Sequence, residues 1–318
     1  MTVSLHTACI FGGTGFIGRQ IVREMAVRGY RIKVATRIPE RAFDLKPCGV
    51  PGQVVPVACD YTDSSIARAV QGCDVVVNCV GILFEKGRKN RFQNLHAELP
   101  GRIGRAAAVA GVGRLVHLSA LGVDRAGSKY AKTKQAGEES VRAAFPGVTI
   151  LRPSVVFGVD DDFFNLFARL SVVLPVLPLI GGGKTKLQPV YVGDVADAVM
   201  AVLARNETAG RIYELGGPDV VTLRAVYETM FSYTHRPKAL LNLPWCAAKI
   251  QGAVMGLMPR PLLTADQVET LKTDSIVTPG KPGLADLGIY PTAMAAILPT
   301  YLSRFCPGGR FGNKKMAS

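Results

Sequence analysis

Short apolar runs and amphipathic stretches alternate along the first half of the chain. Thr7–Phe11 is an apolar run that ends in a glycine-rich turn, and residues 16–28 carry apolar side chains at helical spacing. Further strand-like runs fall at Arg31–Thr36 and at residues 53–58, 74–79, 114–119 and 148–151. Between them, helical patterns cover residues 64–71, 93–110 and 128–144. This rhythm predicts an α/β fold: a Rossmann-type, doubly wound parallel sheet with helices on both faces. Ligands on such a sheet bind beyond the carboxyl ends of the strands, so the loops that follow strands are where chemistry is expected.

Beyond Arg152-Pro153 the rhythm changes. Residues 163–180 are strongly apolar, with Arg169 as their single charge, and they close on Gly181-Gly182-Gly183. The stretch is too short, and too interrupted by Pro175 and Pro178, to span a membrane, so no transmembrane helix is expected. Residues 188–192 read as a strand leading into a helix from Asp194, and 211–216 as one more strand. A turn and helix follow over 219–232, with Thr222 as N-cap. Residues 240–263 form a second proline-punctuated apolar stretch holding the only tryptophan, Trp245. The expected organisation is an NAD(P)-binding core over 1–158, to which 188–216 returns. A smaller, mixed, substrate-type domain comes from 159–187 and 217–303. Residues 304–318 form a basic tail in which Arg304, Arg310, Lys314 and Lys315 have no acidic counterpart, and this tail is expected to be mobile unless a partner orders it.

The turn after the first strand carries Gly12, Gly15 and Gly18 at three-residue spacing, between a strand and a helix, as a dinucleotide-binding loop requires. Gly12 suits the tight turn, Gly15 the approach of a pyrophosphate, and Gly18 close packing of helix on sheet. Thr14, Gly15, Phe16, Ile17 and Gly18 would then line the phosphates at the positive end of the helix. The second strand ends in Thr36-Arg37, and Arg41 follows. A guanidinium in place of a carboxylate suits the 2′-phosphate of NADP(H), with NAD(H) as the alternative. Asp60, past the third strand, is a candidate for the adenine amino group or for a capping role before Thr62-Asp63. Cys79, Val80 and Gly81 end the fourth strand, where a chain passes under a cofactor. The loop 85–91 is densely basic, either a solvated turn or a dock for an anionic partner. Tyr130 and Lys134 share one helical face; in a reductase the tyrosine would protonate a carbonyl while the lysine lowers the tyrosine pKa and holds the ribose. Ser119 ends the fifth strand within reach of the same carbonyl. Pro153 and Val155, after the sixth, complete the expected cofactor contacts.

Composition adds constraints. The 318 residues carry a formal net charge of +14. No nucleic-acid motif accompanies that charge, so an anionic membrane surface or an acidic protein neighbour is the expected partner. The seven cysteines form no Cys-x-x-Cys pair and are expected as small buried side chains in a reducing compartment, not as metal ligands. The first strand begins within a few residues of Met1, and no signal peptide or presequence is expected.

Taken with Asn78–Gly81, Leu118-Ser119-Ala120, Tyr130/Lys134, Leu151-Arg152-Pro153 and Val192-Gly193-Asp194-Val195-Ala196, the glycine loop resembles that of the extended short-chain dehydrogenase/reductases. Within that superfamily the chain is similar to an atypical branch, the nucleotide-binding accessory subunits of respiratory complex I. Ser128-Lys129-Tyr130, Gly137-Glu138, Phe145-Pro146, residues 151–158 and 262–268, Asp286–Ile289 and Ile297-Leu298-Pro299 carry that likeness. The resemblance implies a tightly held NADP(H) and other complex I subunits as partners. It also implies a peripheral place on the cytoplasmic face of a bacterial inner membrane. One departure matters: Ser119 is followed by Ala120 and Leu121, where enzymes of the superfamily commonly place a second, catalytic hydroxyl residue. The alternative is a free NADP-dependent reductase, epimerase or dehydratase using Ser119, Tyr130 and Lys134 on a sugar-nucleotide, steroid-like or quinone-like substrate.

Overall fold

The computed structural model describes residues 6–259 and 261–309. Six strands, β1 (Thr7–Phe11), β2 (Arg31–Thr36), β3 (Val54–Ala58), β4 (Val75–Asn78), β5 (Arg114–Leu118) and β6 (Thr149–Pro153), join the strand Ile212–Leu215 in one sheet. The order is Ile212–Leu215, β6, β5, β4, β1, β2, β3, and every pairing is parallel. The chain order reverses between β1 and β4, so the crevice above these two strands is the topological switch point.

Helices α1 (Phe16–Val27), α2 (Asp63–Val70), α3 (Leu99–Val109) and α4 (Lys129–Ala144) connect the strands of the first half. α5 (Phe164–Val173), α6 (Val192–Ala204), α7 (Leu223–Thr234), α8 (Trp245–Met255), α9 (Ala265–Thr270) and α10 (Met294–Leu302) follow. The two faces of the sheet are visible in β1 itself, because successive side chains point to opposite sides. Ala8 and Ile10 join Ile21, Val22, Met25, Val195 and Val199 in one core, under α1 and α6. Cys9 and Phe11 join Ile66, Leu99, Ile103 and Val141 in another, under α2, α3 and α4. A third cluster, including Phe157, Phe164, Leu177, Tyr227, Leu298 and Tyr301, belongs to the C-terminal elements.

The structure revises several expectations. Residues 93–110 are not one regular helix: Gln93–Glu98 is a π-helical turn that runs into α3. The apolar stretch 163–180 is helix α5 followed by a strand, Val176–Ile180, with Pro175 between them; that strand pairs in parallel with Ala239–Leu243. Residues 188–192 do not form one strand. Pro189 has no N–H to continue a ladder, and two short pieces result. Lys186–Leu187 pairs with Val221–Thr222, and Val190–Tyr191 with Val156–Phe157. Cys9, Cys59, Cys73 and Cys306 are buried, but Cys246 is exposed on α8. The start of the basic tail is packed, since Arg304 donates to Asn165 Oδ1 at 2.5 Å and Cys306 is 3% exposed. Arg310, Lys314 and Lys315 lie outside the described residues. Among the described residues, no helix is long and apolar enough to cross a membrane.

Candidate nucleotide site

The glycine loop closes β1 onto α1 through geometry that side chains would block. Gly12 has φ +77°, and a Cβ there would lie 2.8–2.9 Å from the Cys79–Val80 peptide at the end of β4. A Cβ on Gly18 would strike the Gly12 carbonyl and come within 2.7 Å of Gly13 Cα. Gly18 therefore lets the helix lie directly against the backbone that leaves β1. Gly15 differs: its Cβ would approach only the Gly12 carbonyl, at 3.3 Å, and otherwise meet open space. The loop is fastened by Gly15 N–H donating to Gly12 O (3.0 Å) and by Arg19 Nε donating to Thr14 O (3.1 Å). Gly15 is the N-cap of α1 without a capping side chain, and no acidic residue sits in the first turn. The positive end of this helix is thus left for an anion. Phe16 lies near Gly158, and Ile17 packs on the core beneath.

At the ends of β2 and β3, Arg37 and Arg41 are both exposed. The Arg37 guanidinium lies 5.4 Å from the centroid of the Tyr61 ring and donates to Asn90 Oδ1 at 2.6 Å. Tyr61 itself has φ +68°, an unusual conformation for a bulky residue that costs on the order of 1–3 kcal/mol and often marks a functional site. Asp60 is engaged locally. Its Oδ1 accepts from Thr62 N (3.1 Å) and Thr62 Oγ1 (2.7 Å), and Thr62 in turn caps α2. Hydrogen bonds from Ser65 and Thr62 hold the Asp60 carboxyl below the usual carboxylate range. The cap of α2 is thus Thr62 and not Asp60, which braces that cap from behind.

The other end of the crevice is built from buried polar groups. Lys134 is 4% exposed, and its Nζ donates to the Leu118 carbonyl at 3.1 Å. Burial pulls its pKa down to about 8, against the pull of Glu138 one turn further on. Gly81 faces it, since a Cβ there would lie 3.5 Å from Nζ. Ser119 Oγ is buried with no hydrogen-bond partner among the described residues. Asn78 Oδ1 accepts from Val80 N (3.1 Å), which orients its amide to donate to His117 Nδ1 (3.2 Å). His96, from the π-turn, accepts from Ile82 N at Nε2 (3.0 Å). Burial lowers the His117 pKa to about 3 and that of His96 to about 2, so both rings are neutral. The Tyr130 ring meets His96 and Phe92 edge-on. Burial alone pushes the Tyr130 phenol up to about 12. No lowering by Lys134 offsets that rise, and the ammonium spends one donor on the Leu118 carbonyl. Pro153 is buried at the end of β6, where its carbonyl accepts from Leu121 N (2.9 Å), and Val155 packs toward the C-terminal cluster.

Several contributors were not singled out from the sequence. Asp266 of α9 accepts from the Lys129 N–H (2.7 Å) and the Tyr130 N–H (3.0 Å), so it holds the first turn of α4. Its signal was a capping box, Thr264 with Gln267, which marks α9 but not its target. Arg152 holds Glu138 through two hydrogen bonds (2.9 and 2.7 Å) and Asp124 through a third (2.9 Å). Burial opposes its charge, but Glu138 and Asp124 outweigh burial and raise its pKa. Among the described residues, no group of three or more His, Cys, Asp or Glu side chains is placed to hold a metal.

These residues fit a dinucleotide. An open Gly15 sits at the free end of a helix, and a buried serine hydroxyl and an under-used ammonium stand across the same crevice. Comparisons agree with the fold. The NAD dependent epimerase/dehydratase family profile matches residues 8–216. The chain is 34% identical over 327 residues to "NADH dehydrogenase (ubiquinone) 1 alpha subcomplex subunit 9, mitochondrial" of Arabidopsis thaliana, covering 98% of this chain and 81% of that protein. It is also 34% identical to the subunit of the same name from Mus musculus, over 92% of this chain and 78% of that one. Among solved structures, a triphenylmethane reductase from Citrobacter superposes with a TM-score of 0.74 at 18% identity, covering 93% of this chain and 99% of the other. That likeness concerns the fold alone.

Proposed function

Since the chain belongs to the NAD dependent epimerase/dehydratase family and, within it, to the alpha subcomplex subunit 9 group, we propose that it is an NADP(H)-binding accessory subunit of a proton-pumping NADH:quinone oxidoreductase. It stabilises the peripheral arm near the quinone site, on the cytoplasmic face of a bacterial inner membrane. The observation that carries the nucleotide part is the pairing of an unobstructed Gly15 with a buried Ser119 Oγ that has no partner among the described residues, and with a Lys134 that spends one donor on the Leu118 carbonyl. In this reading Thr14–Gly18 receive the pyrophosphate, and Arg37 and Arg41 the 2′-phosphate. Asp60 stands by the adenine. Cys79, Val80 and Gly81 floor the crevice, while Ser119, Tyr130, Lys134, Pro153 and Val155 surround the ribose and nicotinamide. A bound nicotinamide supplies two-electron hydride chemistry. The chain's own groups favour holding over turnover: Ala120 brings no second hydroxyl, and a phenol at about 12 is a reluctant proton donor near neutrality.

The test is isolation of the tagged protein from mildly solubilised native membranes, with mass spectrometry of the nucleotide released on denaturation. Co-migration with the respiratory complex and NADP(H) in near-stoichiometric amount are expected. Gly15→Val should lose the nucleotide while still folding, because the new side chain occupies space that only a ligand now shares. A soluble pool that turns over a carbonyl substrate, with no complex attached, would overturn the subunit reading.

A further inference from the structure

The basic loop after β4 folds into a hairpin whose base is held from two sides. Lys86 and Asn90 form an antiparallel bridge, with Lys86 N donating to Asn90 O at 2.9 Å and Gly87 turning between them at φ +64°. At the base, Glu85 accepts from Phe92 N at 2.8 Å through one oxygen. Through the other it accepts from Lys129 Nζ, also at 2.8 Å. Lys129 is the first residue of α4, which follows β5. On the other side, Asn90 Oδ1 accepts from Arg37 Nη1, which lies just past β2. In the sheet β5 and β2 are separated by β4 and β1. The hairpin is therefore held from the α4 side by Lys129 and from the β2 side by Arg37. The hairpin itself is short, since Lys86 pairs with Asn90, and the long side chains of Lys129 and Arg37 reach its base from the two sides. Lys86, Arg88, Lys89 and Arg91 are all exposed along it.

We propose that residues 84–92 are a strap over the nucleotide crevice, and that Asn90 is a specificity-determining residue that sets the Arg37 guanidinium for a ribose 2′-phosphate. This rests on the nucleotide-binding reading above. Asn90 occupies one N–H of a planar fork whose other side lies against the Tyr61 ring. A guanidinium held on two sides loses little freedom when a phosphate takes its remaining donors. The four strap cations add a field that favours the doubly charged phosphate over a ribose hydroxyl.

The full-length protein is titrated by calorimetry with adenosine 2′,5′-bisphosphate and with 5′-AMP, which differ only in that phosphate. Asn90→Ala should weaken the bisphosphate about tenfold and leave 5′-AMP unchanged. Asn90→Asp keeps an acceptor for Arg37 but sets a negative charge beside the phosphate, and it should weaken the bisphosphate further. Trypsin supplies a second readout, because the strap holds four cleavage sites. Cleavage at residues 86–91 should slow when the bisphosphate is added, and Glu85→Ala should speed it in the unliganded protein. Circular-dichroism melts matching those of the unaltered chain confirm that each variant is folded. Bisphosphate binding with no change in cleavage, or equal losses for both ligands in Asn90→Ala, would overturn the strap while leaving the nucleotide site standing. Failure of NADPH and of both probes to bind the unaltered chain would overturn the nucleotide reading itself.

Discussion

Lys134 concentrates the physics of the site. Burial pulls its pKa to about 8, well below the ordinary 10.5, and Glu138 partly offsets that cost. Two opposite pH dependences follow. If the ammonium grips the ribose, nucleotide affinity should be flat below pH 8 and decline above it. The unfolded chain keeps this proton up to about 10.5, the folded chain only to about 8. Between those values the unfolded state binds more protons, so this residue's contribution to stability rises with pH. Calorimetric binding and thermal melts from pH 7 to 10 should therefore move in opposite directions, and Lys134→Met should remove both trends. Parallel trends, or unchanged ones in the variant, would refute the assigned role. The pairing of Tyr130 with Lys134 was legible as a four-residue spacing. Its electrostatics were not, because the neutral His96 and His117 and the carbonyl of Leu118 come from other parts of the chain.

At the scale of elements, the strands of the core were readable nearly to the residue because each is built round a short apolar run, continuous and buried in β4 and broken by charges such as Arg31 and Lys33 in β2. β1 and β2 fall where the pattern puts them, and α1 ends one residue early, at Val27. The C-terminal elements were less legible. Their strands are two to five residues long and pair outside the main sheet, so the pattern carried no register for them. The contact that most affects the site, α9 on α4, was invisible for the same reason: Asp266 and Tyr130 are 136 positions apart. That carboxylate accepts two backbone N–H groups at a helix N-terminus, and each such charged bond is worth about 1.5–3 kcal/mol. Asp266→Ala should lower the melting temperature by several degrees and speed amide exchange at Tyr130. Asp266→Asn, which keeps an acceptor, should restore part of the loss. If both variants melt and exchange like the parent, α9 does not hold the first turn of α4.

The whole molecule joins a nucleotide-binding sheet to an assembly with an unusual outer surface. Along α8 and just beyond it, Ile250 is 68% exposed, Val254 64% and Leu257 87%. These three positions are spaced four and three apart, so they line one side of the helix. Leu241 on the neighbouring strand is 62% exposed, and Cys246 is exposed on the same helix. Water offers an apolar row of this kind nothing, and such patches commonly mark an interface. The net charge of +14 suits an anionic surface next to that interface. The packed start of the tail shifts the anchoring role toward this face, because Arg304 is already hydrogen-bonded to Asn165. We therefore expect the double change Ile250→Glu and Val254→Glu to deplete the protein from the purified complex and from washed membranes. Nucleotide content should be preserved, since α8 contributes no residue to the assigned crevice. The native gel and the nucleotide assay are read on the same preparation. Loss of both would indicate a misfolded variant, and Ile250→Ala with Val254→Ala then gives the milder comparison, with partial depletion expected. Full retention of the glutamate variant in the complex at low and high salt would place the docking surface elsewhere on the molecule.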